Sequence, residues 1–133
     1  MTGLPVEHSL KPEELPVPVL AYLGDAVYGL FIRRHLIGRG LVRIDQLHKE
    51  TVRYVRADFQ ARAMRSLAGS LNETEEAIAR RGRNAKSTHP PRGAKPENYR
   101  YSTALEALVG YLYLKGEHQR LAEIMELILE AAG

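Results

Sequence analysis

Two carboxylates stand out because nothing near them shares their charge. Asp25 is the only charged residue between Pro16 and Ile32, a stretch that contains LAYLGDAVYGLFI, and Glu106 is the only one in ALEALVGYLYL, residues 104–114. A lone acid in an apolar segment either reaches solvent at the edge of the buried face or is held for a purpose, because burying an unpaired charge is strongly unfavourable. Two carboxylates brought together raise each other's proton affinity unless a cation lies between them. A hard divalent ion such as Mg²⁺ meets that need, taking a few carboxylates and completing its shell with water and phosphate oxygens.

A phosphate-bearing partner is suggested by the charge distribution. Residues 80–100, RRGRNAKSTHPPRGAKPENYR, carry seven of the nineteen Lys and Arg residues and one acid, a local charge of +6 in a chain of net +3. Clustered Lys and Arg are what phosphate contacts require. A carboxylate pair, a hard cation and a basic segment together point to metal-assisted phosphodiester hydrolysis. Plainer readings stand beside this one: Thr103-x-x-Glu106 also fits a capping box, Asp25 fits an exposed helix residue, and a basic segment fits a solvated loop.

Positioning such groups falls to helices. Val19, Leu20, Leu23, Val27, Leu30 and Phe31 recur at helical spacing behind Pro16 and Pro18, which predicts a helix over about 17–37 ending at Gly38 and Gly40. The run from Ile44 to Leu67 predicts one or two more, with Asp45 as a cap. Asn72-x-x-Glu75 reads as a capping box opening a helix through about Arg83. Pro90, Pro91, Gly93 and Pro96 make a basic loop of about 82–98. An apolar helix over about Tyr99–Lys115 follows, then Gly116 and a last amphipathic helix with Leu121, Ile124, Leu127 and Ile128. The fold class is all-α, five to seven helices in a single domain over 1–133.

Composition narrows the chemistry further. No cysteine is present, which excludes disulfides, thiolate metal sites and a cysteine nucleophile. No apolar run approaches the roughly 20 residues that span a bilayer, and the first residues lack a signal pattern, so a cytoplasmic location is expected. Histidines 8, 35, 48, 89 and 118 have no metal-ligand spacing. A second basic line, Lys49, Arg53 and Arg56, fits an ordinary solvated helix face and a contact with the phosphate-bearing partner equally well.

These residues resemble a known family. LAYLGDAVY resembles the ribonuclease III signature E-x-x-E-F-L-G-D-[SA]-V, and TALEALVGYLYL resembles its second motif, D-x-x-E-A-L-[IV]-G. The short length and the run from RRGRNAKS to YRYSTALEALVGYLYL resemble the Mini-ribonuclease III subfamily, which has no double-stranded-RNA-binding domain. The resemblance implies a ribonuclease III helical fold and an Mg²⁺-dependent endoribonuclease cutting double-stranded RNA. It further implies maturation of large-subunit ribosomal RNA ends, a homodimer, and a large-subunit ribosomal protein as stimulator. It assigns Asp25 and Glu106 as the catalytic, metal-binding acids. The family's other acids fall on Pro18, Ala21 and Thr103, and a non-catalytic RNA-binding relative acting in ribosome assembly would lose acids too. With no separate RNA-binding module, Arg81, Arg83, Asn84, Lys86, Lys95 and Arg100 are the expected RNA contacts.

Overall fold

The computed structural model describes residues 11–85, 92–93 and 95–132. After a single 3₁₀ turn at Pro12–Glu14, six helices follow: α1 (Val17–Gly38), α2 (Ile44–Val55), α3 (Ala57–Ser66), α4 (Glu73–Asn84), α5 (Pro96–Lys115) and α6 (His118–Ala131). The all-α expectation holds, with no strand among the described residues.

The central pair is α1 and α5. Against them pack α2 on α1, α3 and α4 on α5, and α6 across α3 and α5. Leu20, Tyr28, Ile32 and Leu36 of α1 meet Leu105, Leu108 and Leu112 of α5 in a closed core. Each such side chain contributes roughly 1.5–3 kcal/mol on burial. Glycine sets how close the two helices come. A Cβ added to Gly24 would collide with the backbone of Glu106, and one on Gly110 with the carbonyl of Leu20. Gly82 does the same for α4, where a Cβ would stand 2.6 Å from the Cα of Ala104.

Helix ends follow local chemistry. Pro18 occupies the first turn of α1, and Asn72 and Glu75 form a reciprocal capping box at α4. Glu75 is buried and pairs at 2.7 Å with Arg120 of α6, which holds its carboxyl below the usual range. Gly116 closes α5 with φ of 78°, the left-handed conformation glycine adopts without strain.

Four expectations need correction. Asp45 lies inside the first turn of α2 and pairs with Arg43 at 3.5 Å, so it caps nothing. α5 begins a turn earlier than Tyr99, with Pro96 supplying its first position. α4 runs through Asn84, so the basic connection spans 85–95 and not 82–98. Leu30 points outward with Val19, because the buried face of α1 is centred on Leu20, Gly24, Val27 and Tyr28.

Candidate active site

The glycine contact brings the acids together. Asp25 follows Gly24, and Glu106 is the residue whose carbonyl Gly24 touches, so both carboxylates emerge at one crossing of α1 and α5. They line a cleft of about 440 Å³ with Pro18, Ala21, Tyr22, Gly82, Ala85, Tyr99, Arg100 and Thr103. Asp25 is exposed and Glu106 half-buried. Burial pushes the Glu106 carboxyl up to about 8, the neighbouring Asp25 carboxylate adds to the rise, and the Gln60 amide opposes it.

The capping-box reading of Thr103 and Glu106 fails on position. Both lie well inside α5, which starts at Pro96, and the Thr103 hydroxyl donates to the Tyr99 carbonyl at 3.0 Å. Pro18, Ala21 and Thr103 all line the cleft. The three positions at which the resemblance expects further acids therefore line the same cleft as Asp25 and Glu106.

The fit to Mg²⁺ can be judged from the donors. Among the described residues no cluster of three or more acids or histidines forms a metal site. Two hard carboxylate oxygens in an open cleft suit an ion that keeps several waters and takes substrate phosphate oxygens. Burial and the Asp25 carboxylate both disfavour charge on Glu106, a cost that a bound cation would offset.

The expected RNA contacts fall into different surroundings. Arg100 lines the cleft and donates to the Arg83 carbonyl at 2.8 Å. Arg83 lies over the Tyr101 ring, with Arg65 on the same ring at 4.4 Å. Asn84 and Lys95 are exposed at the two ends of the basic connection. Arg81 donates to the carbonyls of Glu13 and Leu15, at 3.2 and 2.9 Å, and so fastens the N-terminal turn to α4. Lys86 lies outside the described residues. Arg53 of α2 pairs with Glu50, and Arg56, between α2 and α3, pairs with Asp58.

Sequence reasoning missed the layer behind Glu106. Gln60 of α3 is buried and accepts a hydrogen bond from the Ser102 hydroxyl. Tyr28 is buried and donates to the Tyr54 carbonyl at 2.6 Å. A polar residue at Gln60, on the apolar face shared by Phe59 and Ala63, was the available signal.

The two acids and the helices that hold them fall within a known family. The family model described as Ribonuclease III domain matches residues 18–117. The chain is 49% identical to a Mini-ribonuclease 3 of Symbiobacterium thermophilum, over 87% of this chain and 89% of that one. It is 47% identical to one from Thermosynechococcus vestitus, over 94% of this chain and 82% of the relative. The crystal structure of a Fusobacterium nucleatum protein superposes with a TM-score of 0.82 at 28% identity, covering 94% of this chain and all of that one. The chain belongs to the Mini-ribonuclease 3 branch of the ribonuclease III family and is an endoribonuclease.

Proposed function

We propose that the chain cleaves double-stranded RNA with Mg²⁺ held by Asp25 and Glu106, leaving 5′-phosphate and 3′-hydroxyl ends, and matures the ends of large-subunit ribosomal RNA in the cytoplasm. The observation that carries this reading is the convergence of the two acids in one cleft, across the Gly24 contact, with Arg100 at its rim. Bound there, Mg²⁺ would lower the proton affinity of water and offset charge on the scissile phosphate. The protein's own residues do the rest. Asp25, exposed, presents oxygen to the open side of the cleft, and Glu106, half-buried, presents it from the wall. Arg100 attracts the phosphate backbone, and the fixed α1–α5 crossing holds the acids in place as the strand is cut.

A homodimer fits the outer face of α1. At about 100° per residue, Val19, Tyr22, Ala26, Leu30 and Ile37 share one side of that helix with Arg33, and all six are exposed. Such a stripe suits a second copy of the chain, placing two cleavage sites on one duplex. A large-subunit ribosomal protein as stimulator is carried by the resemblance alone.

The test is cleavage of labelled duplex RNA with Mg²⁺ by wild type, Asp25→Asn and Glu106→Gln. Wild type is expected to cut and both variants to bind without cutting. Intact duplex under conditions where wild type binds would leave an RNA-binding protein without this chemistry. Leu30→Lys is expected to shift sedimentation from dimer to monomer.

A further inference from the structure

Gln60 stands where an apolar residue would be expected. Its side chain is 1% exposed, and Nε2 is the one buried side-chain polar atom without a hydrogen-bond partner among the described residues. Packing alone would favour leucine or methionine here, since a buried unpaired donor is costly.

Three neighbours determine what the amide faces. Ser102, one turn before Glu106 on α5, donates its hydroxyl to Oε1 and so anchors the carbonyl end. Tyr28 spends its own proton on the Tyr54 carbonyl, which leaves its oxygen able only to accept. Ser102 and Glu106 stand four residues apart on one face of α5, so the amide that Ser102 anchors is set beside the Glu106 carboxyl, with Nε2 as its free donor. Gln60 accordingly favours the ionised form of Glu106. Turning the amide over would set a carbonyl against a carboxylate and forfeit the bond from Ser102.

We infer that Gln60 is a positioning residue: its Nε2, steered by the Ser102 hydroxyl, orients the Glu106 carboxylate toward Asp25 and the cleft. The inference rests on Asp25 and Glu106 being the metal-binding pair. Supports of this kind, hydrogen-bonded to a ligand and not to the metal, typically change metal affinity by about 10–100-fold when removed.

The test uses Gln60→Leu, which preserves bulk and deletes the amide, with Mn²⁺ as the probe. Binding to the full chain without RNA is followed by calorimetry, alongside thermal unfolding. Gln60→Leu is expected to fold, to bind Mn²⁺ about tenfold or more weakly, and to lose kcat with little change in KM. Ser102→Ala is expected to do the same to a lesser degree. In a ¹⁵N–¹H spectrum the Gln60 side-chain NH₂ pair is expected to move on adding Mg²⁺ and in Glu106→Gln.

Wild-type affinity in folded Gln60→Leu would overturn the inference and leave the metal reading intact. Should that variant fail to fold, an unchanged Mn²⁺ affinity in Ser102→Ala would overturn it instead. If wild type itself binds no Mn²⁺, the metal reading falls. The Gln60 NH₂ pair then decides positioning alone, and its indifference to Glu106→Gln counts against it.

Discussion

Gly24 rests directly on the carbonyl of Glu106, with no room for a methyl group between them. The contact explains why an acid on each of two distant helices can serve one cleft. Gly24→Ala must part α1 from α5, and overpacking of this kind costs about 1–3 kcal/mol. Thermal unfolding is expected to show that loss, and cleavage to fall further than the loss explains. Gly38→Ala, whose added methyl meets open space, is the control and is expected to leave both unchanged.

Glu106 should make stability depend on pH in a defined sense. Its carboxyl is raised from 4.5 to about 8, so the folded chain binds that proton more tightly than the unfolded chain does. The ionised group therefore costs stability above about 8, and the cost fades as pH falls toward 4.5. Glu106→Gln is expected to match wild type near pH 4.5 and to exceed it by about 1–3 kcal/mol at the alkaline end. Melting curves across that range check the sign, and added Mg²⁺ should narrow the gap by stabilising wild type alone.

Thr103 offers a gain-of-function test. It lines the cleft one turn before Glu106, where the family motif carries an aspartate. Thr103→Asp adds a third hard oxygen donor and is expected to tighten Mn²⁺ binding by roughly tenfold, while lowering stability in metal-free buffer through like-charge repulsion. Calorimetry with and without chelator measures both.

Arg81 and Arg100 lie in the same basic segment and should behave differently. Arg100 lines the cleft, so Arg100→Ala is expected to weaken RNA binding and reduce its salt slope by about 1. Arg81 is engaged by the carbonyls of Glu13 and Leu15, so Arg81→Ala is expected to lower melting temperature and leave the salt slope unchanged. Binding isotherms at several salt concentrations separate the two.

Much of this protein is legible along the chain. Helical spacing, Pro18 in the first turn of α1, the Asn72–Glu75 box and the glycines after α1 and α5 all act within a few residues, so they mark the elements without reference to the fold. The isolation of Asp25 and Glu106 is equally a property of the sequence, and their motifs carried the family.

What periodicity cannot say is which buried face meets which, because every apolar stripe is compatible with several partners. Only the tertiary structure decided that Gly24 and Gly110 are contact points and that Leu30 faces outward with Val19. It alone tied Arg81 to the N-terminal turn and set Gln60 against Ser102, one turn from Glu106. Those relations join residues far apart in sequence, and close packing of α1, α3, α4 and α5 is what brings them within reach.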